Sequence, residues 1–171
     1  MTKDKDIPLD QYVGAKLYYH LGRAITQWAH VQDSLLRVFS KLIGEVDFQI
    51  ASMIFYSPSS YEVRIDIVDN VAKAVLTDPD LLKEWNDLRD KIITKKRKRN
   101  ILAHLMALHD FENPDKSVIR PHLFNATVIN KFQNKSIPSY TAKDIQGISQ
   151  LFGQLSEDLR NFSQKIPPPL K

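Results

Sequence analysis

Between Val13 and Leu42 the apolar residues Val13, Leu17, Leu21, Ile25, Trp28, Val31, Leu35, Phe39 and Leu42 recur at steps of three and four. At 3.6 residues per turn that spacing lines one face of a helix for about nine turns. The spacing predicts a helix from about Tyr12 to Ile43, with Gly44 as its stop. A stripe of that length has to be buried against other elements, so the rest of the chain must supply matching apolar faces. Gly14 and Gly22 lower the helix propensity inside the stretch and predict close approach of another helix.

Matching faces follow. A second helix is expected over Val46–Tyr56, burying Phe48, Ala51, Ile54 and Phe55. Ser57-Pro58-Ser59-Ser60 breaks the chain, and Ser59 or Ser60 can cap the next helix. That third helix, Tyr61–Leu76, turns Ile65, Val68, Val71 or Ala72, and Val75 inward. Thr77-Asp78-Pro79-Asp80 is a stop and a restart, an N-cap Asp followed by a first-turn Pro. The fourth helix is expected over Pro79–Leu108. From Asp110 to Ser139 the helical texture is lost. Asn113-Pro114-Asp115, Pro121 and Pro138 alternate with β-branched and aromatic residues at Val118-Ile119 and from Phe124 to Phe132. Thr141, with Asp144 three positions on, caps a last helix running to about Lys165. Its face is Ile145, Ile148, Leu151 or Phe152, Leu155, Leu159 and Phe162, and Pro167-Pro168-Pro169 ends it. The fold class expected is all-α: an antiparallel, up-and-down bundle of about five helices with a short irregular or β-hairpin arm between the last two. Residues 1–171 are read as one domain, with a polar segment at 1–11, the arm at 109–140 and a Pro-rich tail at 166–171.

Composition narrows the chemistry. Without cysteine there is no disulfide, thiolate ligand or thiol nucleophile, and the opening MTKDKDIPLD lacks the apolar segment of a signal peptide. Both are expected of a cytoplasmic protein. No apolar run reaches the roughly 18–20 residues of a membrane helix. The five histidines show no ligand spacing, and there is no Gly-rich phosphate loop or serine elbow, so neither a metal nor a cofactor is expected. His30 reads as a plain surface or interhelix residue, and Glu62, Asp66 and Asp69 as a solvated helix face. Lysine and arginine number 24 against 20 carboxylates, yet without the five cations of Lys95-Lys96-Arg97-Lys98-Arg99 the balance is 19 against 20. The basicity is one local patch, suited to a phosphate-bearing partner.

That patch ends on the fourth helix's apolar stripe. Leu81, Trp85, Leu88, Ile92, Ala103 and Met106 share one side, and Arg99 falls among them. A guanidinium cannot discharge, and burying it alone costs several kcal/mol. Arg99 therefore requires either a carboxylate from a neighbouring helix or a polar cleft. Asn100 and His104, four apart, share a second face.

Arg99, Asn100, three residues and His104 resemble the signature of the HEPN superfamily: an Arg, commonly followed by a polar residue, and a His four to six positions later. The resemblance implies a helical bundle carrying the motif on a late helix. It also implies metal-independent endoribonuclease activity at a homodimer cleft, or a non-catalytic module that binds nucleic acid or protein. An antitoxin or nucleotidyltransferase is the partner implied in some members. On this reading His104 moves protons, Arg99 stabilises phosphate charge, Asn100 orients one of them, and Lys95, Lys96, Arg97 and Lys98 hold flanking phosphates of RNA. On an ideal helix Arg99 and His104 diverge by about 140° and are about 7.5 Å apart along the axis. Two copies are needed to direct both groups to one groove, so a homodimer is expected.

Overall fold

The computed structural model describes residues 14–44, 46–121 and 138–167. Five helices carry most of it: α1 (Ala15–Ile43), α2 (Phe48–Tyr56), α3 (Tyr61–Val75), α4 (Pro79–Ala103) and α5 (Ala142–Lys165). Between α4 and α5 lie three short strands, β1 (Met106–Leu108), β2 (Val118–Arg120) and β3 (Tyr140–Thr141). They form an antiparallel sheet in the order β1-β2-β3, with Ala107 opposite Ile119 and Ile119 opposite Tyr140. The fold is an all-α bundle with a small β arm. Tyr12, Val13 and the Phe124–Phe132 stretch lie outside the described residues. No described helix is long and apolar enough to cross a membrane.

The helix boundaries follow local chemistry. Gly44 takes φ +81° just past α1, the left-handed position that glycine fills without a Cβ clash. Asp47 caps α2 by accepting from the amides of Gln49 and Ile50. Asp78 accepts from Asp80 N at 2.8 Å at the start of α4. Ser60 precedes α3, but its hydroxyl makes no capping bond. Thr141 and Asp144 form a reciprocal box at α5, with Asp144 N donating to the Thr141 hydroxyl and Thr141 N to the Asp144 carboxylate. The Thr141 side-chain and backbone donors hold the Asp144 carboxyl below its ordinary range.

By their internal contacts the residues group into two compact units, Gln27–Arg97 with Leu151–Lys171, and Met1–Thr26 with Lys98–Gln150. In the first, Trp28, Val31, Leu35 and Phe39 of α1 are buried, as are Ala51 and Phe55 of α2, Ile65, Val68 and Ala72 of α3, and Trp85, Leu88 and Ile92 of α4. Phe152, Leu155, Leu159 and Phe162 of α5 complete that core. Trp28 meets Phe152 edge-on at 5.1 Å, and Trp85 lies 6.0 Å from Phe162. Six positions that the periodicity turns inward are instead exposed: Ile25, Phe48, Ile54, Val75, Ala103 and Met106. Periodicity ranks residues on a helix but cannot say how much of the helix another element covers.

Asp69 also departs from expectation. It is not part of a solvated face but is buried, with its carboxylate accepting from Trp85 Nε1 at 3.0 Å and Lys73 Nζ at 2.7 Å. Arg89 Nε lies 3.3 Å from the same carboxylate. Burial by itself would raise the Asp69 carboxyl, but the bonds from Lys73 and Trp85 and the Arg89 charge together outweigh it, and the group is held below its ordinary range.

The second unit buries Leu17, Ala24, Leu102, Ile119, Ile145 and Ile148. Gly14 precedes α1 at φ +82°, and a Cβ there would stand 2.5 Å from the His109 ring. His109 Nε2 in turn bonds the Tyr18 hydroxyl at 3.0 Å. The close approach at Gly14 is thus a side chain from the arm rather than a helix, and a Cβ on Gly22 would meet nothing within 4 Å. Gly14→Ala should destabilise the protein by about 1–2 kcal/mol from the backbone term alone, and more once the His109 ring is displaced. Denaturant unfolding measures this; an unchanged midpoint would show that His109 does not pack against Gly14.

Candidate functional site

Helix α4 ends earlier than its sequence pattern suggests. It stops at Ala103, and His104 lies in the following turn, its N–H donating to Ile101 O at 3.1 Å. The i→i−3 bond tightens the last turn, and β1 begins two residues later. The expected helix to Leu108 is therefore corrected. Met106 and Leu108, apolar at helical spacing, belong to a strand whose partner, β2, is ten or more residues away in sequence and invisible to a local period.

Arg99, Asn100 and His104 all belong to the unit that contains Lys98–Gln150. Arg99 is half-buried, and its Nη1 donates to the Asn100 side-chain carbonyl at 3.2 Å. Its Nε is buried without a hydrogen-bond partner, and among the described residues no carboxylate pairs with the guanidinium. Of the two alternatives for a cation on this stripe, the internal carboxylate is absent among the described residues. The apolar stripe itself continues through buried Leu102, whereas Ala103 is exposed. His104 is exposed, and its ring has no hydrogen-bond partner among the described residues.

The basic run is not uniform. Lys96 is largely covered, its side chain 16% exposed, and it is paired with Glu62 of α3. That ammonium, through its hydrogen bond first and its charge second, holds the Glu62 carboxyl below its ordinary range. Lys95 is half-buried. Arg97 and Lys98 are exposed and have no ion-pair partner among the described residues. The free positive charge is thus narrower than five consecutive cations suggest, because a helix turns only part of any run outward.

A cleft of roughly 440 Å³ also lies in the unit holding Arg99, lined by Lys16 and His20 of α1, Asp115 of the arm, and Thr141, Lys143 and Gln146 around the start of α5. Lys16 pairs with Asp115 at 3.1 Å. His20 is buried with Nδ1 unpartnered among the described residues, and burial first, then the charges of Arg23 and Lys16, lower its pKa. Sequence reasoning did not find this group. Lys16 and His20 stand four apart on α1, a visible signal, but Lys143 and Asp115 join them only through the fold. Among the described residues no group of three or more histidines or carboxylates is arranged to hold a metal ion.

Compared with protein-family models, with curated proteins and with solved structures, the chain matches none.

Proposed function

We propose that this chain is an endoribonuclease of HEPN type, working without a metal and as a homodimer. One observation carries the proposal. A half-buried arginine with no carboxylate partner among the described residues, braced by the neighbouring Asn100 amide, stands five positions before an exposed histidine just past the end of α4. A cation kept inside without an internal counter-charge is suited to an external one, and a phosphodiester supplies it. In the reaction the RNA 2′-hydroxyl attacks the adjacent phosphorus. Neutral His104 takes the hydroxyl proton while the P–O2′ bond forms and the P–O5′ bond breaks. The 5′ oxygen receives a proton from the imidazolium of the second copy's His104, leaving a 2′,3′-cyclic phosphate. The Arg99 guanidinium bears on the non-bridging oxygens as their charge grows, and Arg97 and Lys98 engage flanking phosphates.

A second reading is a non-catalytic RNA-binding or interaction module, and the position of His104 favours it. The ring stands beyond the end of α4, with no partner among the described residues to fix its orientation. Labelled RNA incubated with purified protein and a chelator separates the two. Cleavage that survives the chelator and leaves cyclic phosphate ends supports the enzyme. Binding without cleavage at any pH from about 6 to 8 selects the module.

Either way, Arg97→Gln with Lys98→Gln should weaken RNA binding and flatten the dependence of log K on log salt by about 0.7 for each phosphate that is no longer neutralised. Lys96→Gln should have a smaller effect, because Glu62 already neutralises that ammonium. A salt slope equal to that of the unaltered protein in the double variant would mean the run is only solvated surface.

A further inference from the structure

The two compact units differ in charge. Among the described residues of the unit that holds Gln27–Arg97, lysines and arginines balance the carboxylates at twelve each. In the unit that holds Arg99, seven lysines and arginines stand against four carboxylates. Three of those four are already engaged. Asp110 accepts from the amides of Glu112 and Asn113, Asp115 pairs with Lys16, and Asp144 accepts from the Thr141 hydroxyl. The fourth, Glu112, is exposed. Among the described residues the positive surplus of this unit is therefore left without internal counter-charge, which suits it to a polyanion.

Arg120 is the member of that surplus that the fold explains least. It ends β2, half-buried, with its Nε sealed from solvent and without a hydrogen-bond partner. Among the described residues no carboxylate, carbonyl or aromatic ring meets its guanidinium. That group cannot discharge, so covering it alone costs stability that the fold does not recover. Strand register gives its position. Ile119 is fully buried and side chains alternate along a strand, so Arg120 stands on the other face of the sheet. Met106, opposite Arg120 in β1, shares that face and is 38% exposed. Facing α carbons of an antiparallel pair are about 4.5–5.5 Å apart, and the two residues back from Met106 to His104 span at most about 7 Å. The α carbons of Arg120 and His104 are therefore within about 13 Å of each other.

We infer that Arg120 is a second phosphate-binding arginine of this site, holding an RNA phosphate that flanks the one on which Arg99 bears. The role rests on RNA being the ligand of Arg99 and does not require cleavage. A strand carries a phosphate about every 3.4 Å along a helix axis, so several fit within the distance between His104 and Arg120. Of the guanidinium nitrogens only Nε is sealed, and the two Nη groups are the ones a phosphate reaches. Their planar fork meets two oxygens of one phosphate at once, which an ammonium cannot do. Helix α4 supplies Arg97, Lys98 and Arg99, and the sheet supplies Arg120, so the phosphate contacts continue past His104 instead of ending at it.

Arg120→Met tests it, because methionine keeps the apolar stem and removes the charge. Since the fold gives that charge no partner, the variant is expected to unfold at the same denaturant concentration as the parent protein or a higher one, with unchanged far-ultraviolet circular dichroism. Its affinity for a labelled single-stranded RNA is expected to fall about tenfold. The slope of log K against log salt is expected to flatten by about 0.7, the value for one phosphate. Arg120→Lys, which keeps the charge, is expected to restore that slope. A parental slope in Arg120→Met overturns the inference, and so does a lower unfolding midpoint, which makes Arg120 a support of the fold. An Arg120→Lys slope as flat as that of Arg120→Met overturns it too. RNA cleavage by the parent with an unchanged slope in Arg120→Met defeats this inference alone. A flattened slope with no cleavage by the parent defeats only the ribonuclease and leaves Arg120 as a phosphate contact. A parent protein that binds no RNA defeats both.

Discussion

Replacing His104 with alanine is expected to lower RNA cleavage by about 10²–10⁴-fold, the usual contribution of a positioned acid–base group, while leaving the fold intact. The ring is exposed and makes no hydrogen bond among the described residues, so its loss should alter stability by no more than about 0.5 kcal/mol. A fall in rate at constant melting temperature would mark chemistry rather than structure. Arg99→Lys supplies the complementary test. It keeps the charge but loses the planar fork that spans two phosphate oxygens and meets the Asn100 carbonyl. The expected result is a reduced maximal rate with RNA binding largely retained. If His104→Ala cleaves RNA as fast as the parent protein, His104 has no part in the reaction and the proposed mechanism goes with it.

Asp69→Ala should be strongly destabilising, costing about 3 kcal/mol. Breaking a buried pair by removing one partner costs about 3–5 kcal/mol. The lower end applies because the Lys73 side chain is 52% exposed and Arg89 31%, so both cations can turn toward water. The Trp85 N–H cannot, since Trp85 is fully buried. For a chain of this length each kcal/mol lowers the melting temperature by about 2–4 °C. The carboxyl is held below its ordinary range in the folded state, so its contribution is fully present above the unfolded value near pH 4. It is lost as the pH falls further, through the folded pKa. Asp69→Asn should therefore flatten the acid limb of stability below about pH 4. Equal acid sensitivity in the parent and in Asp69→Asn would show that other carboxylates set that limb.

Much of the fold was legible because it is written in local chemistry. The steps of three and four from Leu17 to Leu42 and from Ile145 to Phe162, the Asp78-Pro79 restart and the Thr141–Asp144 box each depend on residues within a few turns of one another. The site was legible only in part. Arg99, Asn100 and His104 stand out as a spacing, and the lack of a carboxylate on Arg99 among the described residues fits one of the two alternatives that spacing left open. The capture of Lys96 by Glu62 was not legible, nor was the burial of Asp69 against Trp85, since each joins side chains more than a dozen residues apart. Val118-Ile119 signalled a strand, but Met106-Ala107-Leu108 did not, because a three-residue strand has too few positions to break a helical period.

The sequence by itself determined the order of five helices, the caps at Asp78 and at Thr141–Asp144, and a concentrated positive charge ending at Arg99. Helix periods, capping bonds and charge density need only neighbouring residues, so they can be read without the fold. Tertiary structure alone decided where α4 stops, which cations remain exposed and which residues of α2 are left uncovered. Each of these depends on which distant surface reaches a given face and displaces water from it, and burial of that kind is a property of the packed chain rather than of any segment.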